Sequence, residues 1–458
     1  MKKKLSVIIC LVLIMSLMTG CTTFNNFKNA FFSDSSAINN VEESARTIKI
    51  GVYQPLTGAY KDKGNEERIG IELAHELYPE VLGRNIELIY ADNQGDMYVA
   101  ETVIKELVAQ SPAVILGSYG ETVTLVAGDA VREAEIPSIT LTGTNSLITV
   151  NNPYYFSATF SEAKQGYALA DFVCETKGKK KVATVRVSGD DTVTATVQRF
   201  NNKVKNNTED SASIVGNYQL DMEATDFSET LEKIKSSGAE AVFLALTPAK
   251  AEEFLKQAKE AGMEKLLYVG TKAWSDEKFL KFLADNKVFE VAYTSDFSAN
   301  ANITKMTETF INAYKQKYGQ TAEPTEAMAV AFDGYLMART AIENAYNDIM
   351  AVDFNELKAD DSVSAEELKE IKANWLDAQQ KGIARGSLIK TALSKLKNFE
   401  GASGTISFKG SNEAVKTIIV NYNVNGEVQE AIAEEDKDVT KGATDTDKSD
   451  KEVATEAE

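Results

Sequence analysis

Few residues in this 458-residue chain carry the types and spacing that catalysis needs. The sole histidine, His75, sits inside "ELAHELY", a helical pattern that favours a structural role. Cys174 falls in another helical stretch, "YALADFVCET", so no Cys–His pair is implied by neighbourhood. Carboxylate pairs such as Glu66–Glu67 and Asp190–Asp191 are commonplace in so acidic a chain, and none stands out as an acid–base pair. Neither a Walker loop nor a metal-ligand spacing is present, so no cofactor and no metal is called for, and the chain does not read as an enzyme. The stretch with chemical promise is "ILGSYGETVT", Ile115 to Thr124. It reads as a strand that breaks on two glycines and enters a helix, the arrangement in which free backbone N–H groups cradle an anion. Its first helical residue, however, is Glu121, a carboxylate placed where an anionic ligand would sit.

The termini define the compartment. "MKKKLSVIICLVLIMSLMTGC" has three lysines, an apolar run from Leu5 to Met18, then Thr19, Gly20 and Cys21. That run is about 14 residues, short of the ~20 that a spanning helix needs, and it reads as a secretory signal over residues 1–20. "LMTGC" resembles a lipobox, which implies acylation of Cys21, membrane attachment through the lipid, and a place on the outer face of the cytoplasmic membrane or in the periplasm. With cysteines only at 21 and 174 after processing, a disulfide framework is excluded. The chain has 49 basic and 68 acidic residues; setting the three signal lysines aside leaves 46 against 68, a net charge near −22. Such acidity argues against nucleic acid and anionic lipid as partners. Residues 21–46, rich in Asn and Ser, read as a disordered tether, and 427–458 as an acidic disordered tail.

Between these ends strands and helices alternate. "TIKIGVY" (47–53), "NIELIYAD" (85–92), "AVILG" (113–117) and "IPSITLT" (136–142) form one run, with Asp96 placed to cap the helix after the second. "KVATVRV" (181–187), "SIVGNYQL" (213–220), "AEAVFLAL" (239–246) and "KLLYVG" (265–270) form another. Two such βαβ runs predict an α/β fold of two doubly wound parallel-sheet lobes. Late segments, including an acidic helix-forming stretch at 353–385 and strands at 404–408 and 415–424, are not placed by chain order alone.

Six blocks occur in order: "IKIGVYQPLTGAY", "IELIYADNQGDMYVAETVIKELV", "AVILGSY", "IPSITLTGTNSLIT", "YFSATFSEAKQGYALADFV" and "TDFSETLEKIKSSGAEAVFLALTPAKAEEFLKQAKEAGM". Together they resemble the type I solute-binding proteins of branched-chain amino acid ABC importers, over roughly 47–346 and 399–423. The resemblance implies lobes joined by three hinge crossovers near 157–161, 294–298 and 399–403. Lobe 1 is then 47–160 with 299–398, carrying the 353–385 segment as an added surface helix; lobe 2 is 161–298 with 399–426. It also implies a monomer that captures a small polar ligand by lobe closure and delivers it to a permease and ATPase complex.

The candidate ligand contacts are Tyr53, Lys63, Ser118, Tyr119, Glu121, Thr122, Thr142, Gly143, Thr144, Asp190, Asp191, Thr247, Lys272 and Trp274. Thr142, Gly143 and Thr144 keep the family pattern, with Tyr53, Tyr119 and Trp274 as candidate aromatic walls. Glu121 stands where the resemblance implies a carboxylate-gripping hydroxyl, and Lys272 where it implies the acid that pairs with an ammonium. Lys63 and Asp191 (or Asp190, since the alignment there is loose by a residue) replace aromatics. A standard branched-chain amino acid in the usual pose is disfavoured, because each mismatch costs several kcal/mol at a desolvated contact. Three arrangements are open: Glu121 facing solvent, Lys272 on the lobe surface, or the two paired across the cleft so that a ligand is read in reversed orientation. The rival functions are a ligand-sensing receptor module and a lipoprotein that has lost small-molecule binding and acts as a surface interaction protein.

Overall fold

The computed structural model describes residues 47–189, 191–206, 212–299, 301, 303–360 and 362–434. Cys21, the signal, the tether, Asp190 and 435–458 lie outside the described residues.

The first sheet comprises β1 (Thr47–Gln54), β2 (Glu80–Val81), β3 (Arg84–Asp92), β4 (Val114–Leu116), β5 (Ser138–Thr140) and β6 (Tyr155–Ser157), in spatial order β2-β3-β1-β4-β5-β6. Strands β1, β4, β5 and β6 run parallel. Their connections carry α1 (Lys61–Leu77), α2 (Met97–Ala109), α3 (Glu121–Glu133) and α4 (Leu147–Val150). Asp96 caps α2, accepting from the backbone N–H groups of Tyr98 and Val99. Side chains alternate across this sheet. Ile48, Ile50, Val52, Val114 and Leu116 enter one core, whereas Tyr53 and Ile115 enter the other.

The second sheet follows α5 (Glu162–Asp171), which runs into a short π-turn holding buried Cys174. It holds β7 (Lys181–Val187), α6 (Asp191–Asn206), β8 (Ser213–Leu220), α7 (Ser228–Ser237), β9 (Ala241–Ala245), α8 (Pro248–Glu260), β10 (Leu267–Gly270), a 3₁₀ turn at Lys272–Ser275, α9 (Glu277–Asp285) and β11 (Glu290–Ser295). Strands β8, β7, β9, β10 and β11 are parallel neighbours. Here too alternate residues fill opposite cores: Ala183, Val242 and Tyr268 on one face, Val182, Phe243 and Val269 on the other. The chain therefore has the α/β, doubly wound parallel-sheet fold anticipated from its βαβ rhythm.

Past β11 the chain returns to the first sheet with α10 (Lys305–Tyr318) and α11 (Glu326–Met350), whose Phe310, Phe332 and Ala338 share a core with Ile50. Helices α1 and α11 approach backbone to backbone: a Cβ at Gly70 would lie 2.1 Å from the Met328 carbonyl oxygen. His75 is structural here, its Nδ1 3.0 Å from the Tyr335 hydroxyl.

Three expectations need correction. The 353–385 segment is two helices, α12 (Phe354–Ala359) and α13 (Ala365–Lys381), separated by the Ser364 capping box. They are held together by an edge-to-face Phe354–Trp375 contact, and Ala378 of α13 is buried in the first core. After α14 (Gly386–Ser394), the strands β12 (Phe399–Gly401), β13 (Gly404–Ser407) and β14 (Val415–Lys416) form a small sheet that stays with the first lobe, because Ala402, Ile406, Phe408 and Ala414 are buried in its core. The third crossing therefore falls at Thr417, not at 399–403; only β15 (Ile418–Val424) joins the second sheet, antiparallel to β11. Finally, Glu427–Glu434 is a strand, β16, paired antiparallel with β15, rather than the start of a tail. The connecting Asn425 and Gly426 both have positive φ, the two-residue turn that Asn-Gly favours.

Candidate functional site

Ligands of open α/β sheets bind beyond the carboxyl ends of the strands. In the first lobe those ends are Gln54, the turn Gly117–Gly120 and the turn Thr142–Asn145. The Gly117–Gly120 turn is pinned from four sides. The Gln54 Oε1 accepts from the Tyr119 N–H (2.9 Å), and Asn93 Nδ2 donates to Ser118 Oγ (2.8 Å). Thr124 Oγ1 donates to the Ser118 carbonyl (3.0 Å), and the Tyr155 hydroxyl to the Gly117 carbonyl (3.1 Å). Gly117 (φ +118°) allows no side chain: a Cβ would lie 2.0 Å from the Tyr53 carbonyl oxygen.

Glu121 opens α3 from this turn and is half-buried. Thr144 Oγ1 donates to its Oε1 (3.2 Å) and Asn145 Nδ2 to its Oε2 (3.3 Å). A carboxylate at a helix start also complements the helix dipole. Beside it, Thr142 Oγ1 donates to Glu67 Oε1 (2.5 Å), while Gln54 Nε2 donates to Glu67 Oε2 (2.5 Å). Glu67 is completely buried, and burial pushes its pKa up to about 7 against the pull of Thr142, Gln54 and Lys272. Tyr119 lies on the same wall, its ring 6.1 Å from that of Tyr60 and close enough to Glu67, Glu66 and Lys63 to feel their charges. Lys63 Nζ sits 3.1 Å from Glu66 Oε1, and Thr325 Oγ1 donates to Glu66 Oε2 (3.0 Å). Burial works against the Lys63 ammonium, but Glu66, Tyr119 and Asp276 of the second lobe outweigh it and raise its pKa.

Lys272, at the end of β10 in the second lobe, does not pair with Glu121. Its Nζ lies 2.8 Å from Thr159 Oγ1, 3.0 Å from Asp296 Oδ2 and 3.7 Å from Glu326 Oε1. Its side chain is 14 % exposed, so the lobe-surface arrangement fails with the cross-cleft pair. Asp296 also meets Lys416 Nζ at 2.9 Å, both residues being wholly buried. Burial alone would raise the Asp296 carboxyl, yet Lys272 and Lys416 hold it well below the usual carboxylate range. Glu326 accepts from the Asp296 N–H and the Ser295 hydroxyl (both 3.1 Å), and burial pushes its own pKa up.

Other anticipated contacts turn out to be structural. Tyr53 is fully buried and donates its hydroxyl to the Val123 carbonyl (3.1 Å). Trp274 is fully buried over Gly270 and donates to the Leu246 carbonyl (3.0 Å), so neither ring is an aromatic wall. Ser118 is buried and occupied by Asn93, and exposed Thr247 caps α8 through the Lys250 N–H (3.4 Å). Thr122 is exposed on the first turn of α3, and Gly143 is buried beside Thr140. Asp191 opens α6. The structure thus groups Lys63, Tyr119, Glu121, Thr142, Gly143 and Thr144. It adds Glu67, Gln54, Asn145, Asp296, Glu326 and Lys416, which sequence reading missed. The one available signal was Glu67, an acid on the buried face of α1 between Gly64 and Gly70. Among the described residues no group of three or more His, Cys, Asp or Glu could hold a metal ion.

Two doubly wound lobes with polar groups converging at their strand ends define a two-lobed binding protein. Residues 47–425 match the model of the periplasmic binding protein family, and the chain belongs to that family. It is a solute-binding protein of the ABC transporter class, not an enzyme. Similar proteins include the Leu/Ile/Val-binding protein homolog 6 of Brucella abortus (strain 2308), 23 % identical over 313 residues, covering 65 % of this chain and 76 % of that one. Among solved structures, the leucine-binding protein LivK of Thermotoga maritima MSB8 superposes with a TM-score of 0.66 at 22 % identity, covering 86 % of this chain and 100 % of that one. LivJ of Streptococcus pneumoniae in complex with isoleucine gives 0.65 at 25 %, covering 85 % and 99 %. A solute-binding protein of Rhodopseudomonas palustris BisB5 in complex with 3,4-dihydroxybenzoic acid gives 0.61 at 22 %, covering 85 % and 97 %.

Proposed function

We propose that this chain is an extracytoplasmic lipoprotein, anchored through Cys21, that captures a small polar solute by closure of its two lobes and delivers it to an ABC permease and ATPase complex. The solute is amino-acid-like or an amino acid derivative, and not a standard branched-chain amino acid. One observation carries the second statement: Glu121 occupies the helix start at the first-lobe strand ends and is held there by Thr144 and Asn145. A free carboxylate brought to that turn meets a carboxylate rather than a hydroxyl, a repulsion of several kcal/mol once water is excluded. The similar proteins crystallised with isoleucine and with an aromatic acid support small-solute capture by this fold.

The test is a thermal-shift screen with amino acids, their amides, short peptides, polyamines and small aromatic acids. At least one should raise the melting temperature at submillimolar concentration. Micromolar stabilisation by Leu, Ile or Val would sink the altered-ligand reading, and no response to any member would overturn solute capture itself.

A further inference from the structure

The first lobe holds a cavity of about 370 Å³ where the end of α11 meets α12, α13 and α14. Ala345, Ile349 and Ala392 are its buried floor, and Leu357, Ile371 and Leu388 its half-buried walls. Both the size and the apolar lining are those of small-molecule sites, which run from ~300 to ~1,000 Å³. The cavity is remote from the cleft. Glu326 opens α11 beside Asp296 and Lys272, and Asp348 lies about 33 Å further along the same helix at ~1.5 Å per residue.

The mouth is acidic. Asp348, Asp353, Glu356 and Asp360 stand there against one ammonium, Lys395. Asp353 is engaged in capping α12 through the Asn355 and Glu356 N–H groups, and Asp360 accepts from the Ser362 N–H and hydroxyl. Asp348, Glu356 and Lys395 form no ion pair among the described residues. The remaining polar side chain of the lining, Thr391, gives its hydrogen to the Ser387 carbonyl (2.9 Å). Glu356 complements the start of α12, but Asp348 sits in the last turn of α11, where the helix dipole already disfavours an acid. Local helix chemistry therefore leaves Asp348 without a purpose. On α12–α14, Leu376 alone among the described residues is a strongly exposed large apolar side chain. A cavity ringed by polar surface suits a small molecule better than a protein face.

We propose that this cavity is a second binding site, separate from the cleft, for a small amphipathic amine. The compact hydrocarbon or aromatic body of the ligand enters the apolar cavity, and its ammonium meets Asp348 and Glu356 at the mouth. A carboxylate of the same shape would face four acids with only Lys395 to receive it.

Three probes of one shape separate charge from volume: phenethylamine, 2-phenylethanol and 3-phenylpropionate, titrated calorimetrically into the full-length chain at pH 7.5. The amine should bind with a Kd below about 1 mM and at least about tenfold tighter than the carboxylate, with the alcohol between them. Asp348→Asn combined with Glu356→Gln, both on the exposed rim, should weaken the amine at least about fivefold and leave the alcohol within about twofold. Glu370→Gln removes an exposed acid of α13 outside the lining and should leave all three probes within about twofold. A carboxylate as tight as the amine overturns the proposal. So does an amine affinity that the double variant leaves unchanged, or that Glu370→Gln weakens equally. Silence from all three probes overturns it as well, and so does binding by acetyl-Lys-Phe-Lys-amide alone, which would mark a protein-docking groove. Each of these outcomes leaves solute capture in the cleft standing, because that reading has its own thermal-shift test.

Discussion

At the scale of single residues, Glu67 shows what an acid does when the fold removes its water. Both carboxylate oxygens are hydrogen-bonded, but among the described residues no cation forms an ion pair with them, and burial pushes the pKa up to about 7 from 4.5. The folded state therefore holds a proton that the unfolded state releases. Stability from this group is full below about pH 4.5, falls as pH rises, and is gone above about pH 7. The difference amounts to about 3 kcal/mol. Glu67→Gln removes this titration while keeping the shape. Its melting temperature should exceed that of the native chain at pH 8 and converge with it near pH 5, as read by differential scanning fluorimetry in matched buffers. Parallel curves across that range would show that Glu67 is ionised throughout.

At the scale of elements, the small sheet β12–β14 is fastened to α11 by one side chain. Asp333 accepts from the Ala402 N–H (2.5 Å), the Ser403 N–H (2.8 Å) and the Ser403 hydroxyl (2.5 Å), all buried. Gly401 makes room for it, since a Cβ there would lie 2.5 Å from the carboxylate. Asp333→Ala strands two buried N–H groups and should cost about 3–5 kcal/mol in urea unfolding, with Asp333→Asn losing about half as much. A cost below about 1 kcal/mol for the alanine variant would show that water replaces the carboxylate. Nothing in the sequence announces this fastening, because an Asp within "AVAFDGYLMA" pairs with a loop about 70 residues later. The strands and main helices were legible because their periodicity is local: β7, β9 and β10 are apolar runs that must be buried on both faces. The small sheet was misassigned because periodicity does not tell which core an apolar face fills, and the crossover that the resemblance implied at 399–403 put it in the wrong lobe. Strand β16 was missed because acidic composition outweighed the Asn425–Gly426 turn signal. In the site, Glu121 and Lys272 were legible as anomalies of type, and Thr144 beside Glu121 was named as a candidate, but the Lys272 partners were not, since Asp296 and Glu326 come from other elements.

At the scale of the whole molecule, one buried carboxylate joins the three crossovers. Asp296 lies on the second; it receives Thr159 from the first and Lys416 from the edge of the third, and Lys272 reaches it from the second lobe. Because its folded pKa is depressed, its contribution is present above the unfolded carboxylate range and is lost only as pH falls through the much lower folded value, so the hinge stays charged through acid conditions that titrate Glu67. Asp296→Asn leaves Lys272 and Lys416 buried with half their compensation and should cost about 3–5 kcal/mol. It should also uncouple the lobes. The chain has 2 tryptophans, Trp274 in the second-lobe core and Trp375 on α13 in the first. With Trp375→Phe as background, fluorescence follows the second lobe while circular dichroism follows the whole chain. The two urea transitions should coincide when Asp296 is present and separate in Asp296→Asn, since a cooperative unit is defined by coincident probes. Coincidence in both, with a shift below about 1 kcal/mol, would mean that the lobes are coupled by their apolar contacts and that the Asp296 cluster only neutralises itself.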